Sequence, residues 1–254
     1  MLTPMALYIV ISAFLVMCVS FAGVAFVQRN LSAVLARNLK ILVAFAAGVF
    51  AVLSYSLFDE AIGIGISLPV LLFSALGGAL FLETADRLIP HEHHHHGTEH
   101  DHPHGRVDAH RMLLGDAVHN IADGIILVPA FLADVWIGIG TVAGIILHEL
   151  VQEIAEFFVL KEAGYTTKEA LVRNFVVSST IFIGVILAFS VARVEEFEAP
   201  LLAFGAGGFT YILLRDLLPS IVGSVRKDGH APQFAAAALI GAGILLGIQT
   251  FMAR

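Results

Sequence analysis

Eight apolar blocks, each about 20 residues long, run through this chain near positions 4–27, 40–59, 67–88, 110–132, 137–160, 170–193, 200–222 and 232–252. A helix of that length covers the roughly 30 Å of hydrocarbon in a bilayer. Inside lipid every backbone N–H and C=O must find a partner within the protein, which leaves helices as the form such blocks can take. With 58% hydrophobic and 14% charged residues, the composition excludes an ordinary soluble domain. The expected fold is an all-α integral membrane protein with eight transmembrane helices, one domain over residues 1–254 in multi-pass contact with the lipid bilayer. The first block has no basic residue ahead of its apolar core and no clear A-x-A cleavage site, so it reads as a retained span and not a signal peptide.

Basic residues orient the spans, because lysine and arginine stay on the cytoplasmic side of short loops. Loops one, three, five and seven hold eleven of them: Arg29, Arg37, Lys40, Arg87, Arg106, Arg111, Lys161, Lys168, Arg173, Arg226 and Lys227. The opposite side holds Arg193 and Arg254, which predicts both termini outside the cytoplasm; the expected location is a cytoplasmic (inner) membrane. The single cysteine, Cys18, excludes an internal disulfide framework. No basic arm or aromatic platform suggests nucleic acid as a partner.

Two spans resemble one another. Ala44-Phe45-Ala46-Ala47-Gly48-Val49-Phe50 in the second matches Ala203-Phe204-Gly205-Ala206-Gly207-Gly208-Phe209 in the seventh. The topology runs these spans in opposite directions, the sign of an inverted repeat of spans one to three against six to eight, with spans four and five between. Runs of small residues also recur in helical membrane proteins without any repeat.

Loop three, residues 90–108, is a low-complexity segment with eight of the twelve histidines: His91, His93, His94, His95, His96, His100, His102 and His104. It is too polar to fold alone, and neutral imidazoles bind borderline metals such as zinc. Capture of metal on the cytoplasmic side is the expected role.

Spans four and five carry ionisable residues where each costs about 2.5–3.5 kcal/mol on insertion scales, so a ligand or ion is expected among them. Residues one helical turn apart share a face. His119, Asn120 and Asp123 can therefore converge from the fourth span, and His148 and Gln152 from the fifth, with Glu149, Glu153 and Glu156 as an adjoining stripe. The short connection around Asp134 makes the two helices antiparallel neighbours. Mixed nitrogen and oxygen ligands suit Zn2+, with Cd2+, Fe2+, Mn2+ and Co2+ possible. Asp116, Glu153, Glu156 and Asn174 are further candidates along a transport path. Two of them also have a plainer reading: Asp116 bonding backbone near a helix start, and Asn174, with Ser178 and Ser179, tying helices together.

At these residues the chain resembles the ZIP (Zrt/Irt-like) family of divalent-metal transporters, in a bacterial-type form. The family's fourth-helix pattern H-N-x-x-D/E-G is met by His119, Asn120, Asp123 and Gly124, and its fifth-helix H-E-x-P-x-E-x-G-D by His148, Glu149 and Glu153. Gly115-Asp116, Arg173-Asn174-Phe175 and Asp216-Leu217-Leu218-Pro219 extend the similarity. The resemblance implies zinc carried into the cytoplasm as substrate, through a two-metal centre between helices four and five, by alternating access and commonly as a homodimer. It implies no enzymatic activity and no organic cofactor. Carried over by position, His119, Asp123, His148 and Gln152 would hold one ion, and Asn120, Asp123, Glu149 and Gln152 would hold or flank a second. Gln152 stands where many members have histidine, Val151 where they have proline, Ala155-Glu156 where they have Gly-Asp, and Ser56 and Asp59 where a histidine and a proline are common.

Two other classes share part of the pattern. A cation-diffusion-facilitator exporter uses H-x-x-x-D spacing and a His-rich loop, but usually six spans and a soluble C-terminal domain. An intramembrane zinc protease would read His148-Glu149 as the start of H-E-x-x-H, which Gln152 interrupts.

Overall fold

The computed structural model describes residues 4–27, 29–88, 105–192, 195–229 and 231–252. All eight histidines assigned to loop three lie outside these residues. In chain order the elements are α1 (Pro4–Met17), a 3-10 segment (Cys18–Val27), α2 (Arg29–Ile64), α3 (Leu68–Leu88), α4 (Gly105–Ala133), α5 (Val135–Glu162), α6 (Thr167–Ser178), α7 (Ile181–Ala192), a short 3-10 turn (Glu195–Phe197), α8 (Glu198–Ile212), a π-helical turn (Leu213–Leu217), α9 (Leu218–Asp228) and α10 (Ala231–Met252). Seven helical stretches among the described residues are long and apolar enough to cross a membrane: Pro4–Ala22, Lys40–Ile64, Ala109–Ala133, Val135–Glu162, Thr167–Ala192, Glu198–Lys227 and Ala231–Phe251. Leu68–Thr84 is a shorter apolar helix at the place of the third span. The chain is an all-α membrane protein.

Apolar side chains on the outside mark the surface that lipid covers. Phe73 is 76% exposed on α3 and Leu239 is 73% exposed on α10, a state that hydrocarbon tolerates and water does not. Local chemistry sets several ends. Asp134 caps α5, its Oδ1 accepting from the Trp136 N–H at 2.7 Å and the Ile137 N–H at 3.3 Å, so α4 turns into α5 within a single residue. Thr166 and Glu169 form a reciprocal capping box at the start of α6. Gly164, at φ +86°, makes the turn between α5 and α6, where a side chain would strain the backbone.

The helices sort into two groups. In one, α4 packs most extensively on α7 and α5, while α1 and its 3-10 continuation lie along α5. In the other, α2 packs on α8, with α3 against α8 and α10 against α2. The groups meet where α5 lies on α2 and where α4 lies on α3 and α8.

Glycines bring the second group to backbone contact. A Cβ on Gly48 would fall 1.9 Å from the Ala238 carbonyl oxygen, and one on Gly207 would fall 2.0 Å from that of Ala75. In the same way a Cβ on Gly78 would fall 2.0 Å from the Phe204 carbonyl oxygen and one on Gly241 2.2 Å from that of Phe45. Gly48 and Gly207, like Phe45 and Phe204, hold the same positions in the two matching seven-residue stretches. Equivalent positions therefore make equivalent contacts. The last residues of the two stretches, Phe50 and Phe209, meet edge to face at 5.0 Å near the centre.

Candidate metal centre

Antiparallel α4 and α5 present their polar stripes to each other in the interior of the bundle. His119, Asn120 and Asp123 of α4 are buried, as are His148, Glu149, Glu153 and Glu156 of α5. The adjoining positions are filled by small or apolar residues, such as Ala122 and Ile145, so the polar groups face one another and not lipid.

Three side chains converge. One ligand atom from each of His119, His148 and Glu149 lies within 4.8 Å of the other two. The imidazole rings are 5.2 Å apart between centroids, and His119 Nε2 is 3.6 Å from Glu149 Oε1. That gap is too long for a hydrogen bond. It fits two ligands of one ion, since donors each about 2.0–2.2 Å from a tetrahedral zinc stand about 3.4 Å apart.

The orphaned atoms agree with this reading. Both ring nitrogens of His119, Nε2 of His148, Oε1 of Glu149 and both carboxylate oxygens of Asp123 are buried without a hydrogen-bond partner among the described residues. A buried polar atom left unpaired costs about 1–3 kcal/mol, and more when charged. So many in one place describe a binding site, because structural packing would not leave them unmatched.

The remaining expected residues sit differently. Asn120 and Gln152 turn their amide nitrogens to Asp116: Asn120 Nδ2 donates to Asp116 Oδ1 at 2.8 Å and Gln152 Nε2 donates to it at 3.0 Å. Gln152 Nε2 also reaches Glu156 Oε1 at 3.3 Å. Glu153 is held from α6, accepting from Asn174 Nδ2 at 2.7 Å and from the Ser178 hydroxyl. Asn174 thus serves as a tie between helices through Glu153.

Two residues escaped the sequence reading. Thr141 is fully buried with its hydroxyl unpartnered, and it precedes His148 by two helical turns on the same face of α5. Its place in the heptad of His148 was the available signal. Asp216, noted only as part of a motif, belongs to the π-helical turn and lines a cavity of about 170 Å³ with His148, Gln152, Val43 and Ser220. An acidic residue inside the seventh span was the clue, and π-turns gather at functional sites.

Comparison with known proteins follows the same residues. Positions 107–251, which include α5 and all but the first two residues of α4, match the family model described as ZIP Zinc transporter. Human zinc transporter ZIP4 is 38% identical over 120 residues, covering 47% of this chain and 18% of that protein. Mouse zinc transporter ZIP4 is 40% identical over 111 residues, covering 44% and 17%. The Drosophila melanogaster zinc transporter foi is 32% identical over 140 residues, covering 55% and 20%. The matched part spans about a fifth of the length of these relatives.

Proposed function

Because the chain belongs to the ZIP zinc transporter family, we propose that it carries divalent transition-metal cations, Zn2+ first among them, across a membrane and into the cytoplasm. The observation that carries this reading is the buried convergence of His119, His148 and Glu149, with their ligand atoms within 4.8 Å and unpartnered. Asp123, whose two carboxylate oxygens are buried and unpartnered, would supply a further carboxylate to the same ion, while Asn120 and Gln152 turn their amide nitrogens to Asp116 beside it. Nitrogen and oxygen donors together select a borderline ion such as zinc, and Cd2+, Fe2+, Mn2+ and Co2+ are the alternative cargoes. Neutral and carboxylate ligands also exchange readily enough to release it.

Alternating access would move the α4–α5 group against the α2–α8 group, whose mutual contacts are fewer than those within each group. The reciprocal glycine contacts support an inverted repeat of spans one to three against six to eight, with the metal-bearing helices between. The excess of basic residues in the odd loops supports termini outside the cytoplasm and a cytoplasmic (inner) membrane. Residues 90–108 would collect metal on the cytoplasmic side of this single transporter domain, which the resemblance gives as a homodimer.

Zinc entry into liposomes bearing the purified protein, read with a trapped indicator, tests the proposal. Wild type should fill the vesicles, and His148→Ala and Glu149→Ala should each reduce entry to near background. Entry equal to wild type in both folded variants would refute it.

A further inference from the structure

Within the apolar block near 200–222 the one basic residue is Arg215. It sits in the π-helical turn, exposed on the outside of the bundle beside the equally exposed Leu214. Among the described residues no carboxylate forms an ion pair with it. A guanidinium keeps its charge and its five donors, so on a face that hydrocarbon covers it must reach the level of the headgroups. Its depth follows from α3. Arg87, in the last turn of α3, donates from Nε to Glu83 Oε1 at 2.7 Å, and the Tyr211 hydroxyl of α8 donates to Glu83 Oε2 at 2.7 Å. Tyr211 is thus level with Glu83, and Arg215, one turn further along, is level with Arg87 at the end of α3. The charge of Arg215 also acts on Glu83. One carboxylate stands between two guanidiniums, and positive charge is left over.

From that charge toward the middle of the bilayer, α3 and α8 enclose a groove of about 540 Å³. Phe58, Leu76, Ala79, Tyr211 and Leu214 line it, and Arg215 is the lining residue nearest the end of the two helices. Between Gly207 and Arg215 it follows α8 for about 12 Å at 1.5 Å per residue. A groove that is apolar along its length and cationic at its end matches a phospholipid, with a chain in the groove and a phosphate at the guanidinium. Tyr211 beside it is the residue type that gathers at headgroup level. A second copy of the chain does not suit this face. Copies related by an axis along the bilayer normal present the same residues at the same depth, so Arg87 and Arg215 of one would meet those of the other while both Glu83 oxygens are engaged.

We propose that the groove between α3 and α8 binds one anionic phospholipid, its acyl chain against Leu76, Ala79 and Leu214 and its phosphate held by Arg215 and Arg87. A zwitterionic lipid brings the same phosphate, but its own ammonium meets the leftover positive charge, so the net anion is preferred. The site belongs to the group of helices that carries none of the three converging ligands. It therefore stands apart from the transport reading and needs no metal.

Native mass spectrometry of the full chain, released from micelles that hold equal amounts of dioleoyl phosphatidylglycerol and dioleoyl phosphatidylcholine, tests this. Wild type should retain one phosphatidylglycerol over phosphatidylcholine by about fivefold or more, with zinc or with a chelator present. Arg215→Gln should bring the two lipids near parity, while Arg215→Lys keeps part of the preference. Ala79→Phe, which fills the groove, should lower retention of both, and glycerol phosphate at the same concentration should displace neither. Equal retention by wild type, an unchanged preference in Arg215→Gln, or displacement by glycerol phosphate would overturn the proposal. So would a disulfide formed in high yield between copies of the Cys18→Ser, Ala79→Cys variant in membranes, which would put a second copy in the groove. If Arg215→Gln fails to fold, Arg87→Gln, at a side chain 78% exposed, should lower the preference in its place.

Discussion

Gly124→Ala places a single methyl group at the tightest seam of the metal-bearing group. The added Cβ would lie 2.0 Å from the Ile181 carbonyl oxygen, 2.8 Å from the Val185 nitrogen and 3.0 Å from the Gly184 Cα. Ordinary contact starts near 3.4 Å, so the gap must widen by 3.4 − 2.0 = 1.4 Å. All three obstacles are backbone, and no rotamer change relieves them. A Cβ built on Gly184 would likewise fall 2.0 Å from the Ile121 carbonyl oxygen, so α4 and α7 are in backbone contact from both sides and must separate as rigid rods. Overpacking of this kind costs about 1–3 kcal/mol. Asp123 is the preceding residue, and metal sites tolerate ligand shifts of only about 0.2 Å. The melting temperature should drop, and zinc flux should fall by about tenfold to a hundredfold. Gly243→Ala is the control, because its Cβ meets nothing within 4 Å and alanine favours the helix by up to about 1 kcal/mol. Wild-type melting and flux in Gly124→Ala, or equal losses in Gly243→Ala, would refute the reasoning.

Asp134→Ala removes the cap that accepts two N–H groups of α5 and should cost about 0.5–2 kcal/mol, read as a lower midpoint in thermal unfolding in detergent. Asn174→Leu strips Glu153 Oε2 of its donor and buries an unpaired acceptor, which should destabilise by about 1–3 kcal/mol, and Asn174→Ser should restore part of it. Deleting residues 91–104 should lower zinc bound per protein, measured by elemental analysis, while flux at saturating zinc persists; abolished flux would contradict a capture role.

The spans were legible because hydrocarbon thickness fixes the length of an apolar block, and most block limits fall within a few residues of the helices. What lies outside that constraint was not legible. α2 begins at Arg29, well before its apolar block near 40, since a polar helix extending from the membrane leaves no apolar signature. The first span changes from α to 3-10 winding at Cys18, where the Ser20 hydroxyl takes the Met17 carbonyl at 2.7 Å. The sixth breaks between Ser178 and Ile181, where the Thr180 hydroxyl bonds to the Ala117 carbonyl of α4 at 2.8 Å. At the site, helical spacing shows that His119 and Asp123 share a face, as His148 and Gln152 do. It cannot show which partner an amide chooses across the interface. Asp116 lies one turn before Asn120 on α4 and accepts from it locally, while packing brings Gln152 of α5 to the same carboxylate oxygen. Glu153 shares the stripe of Glu149 by sequence, yet Asn174 and Ser178 draw it to α6.

Anomalous diffraction from crystals grown with zinc tests the central claim most directly. A zinc peak should stand between α4 and α5, about 2.0–2.2 Å from a ring nitrogen of His119, a ring nitrogen of His148 and an oxygen of Glu149. Zinc found only along residues 91–104, with no peak between the two helices in protein that transports it, would contradict the account.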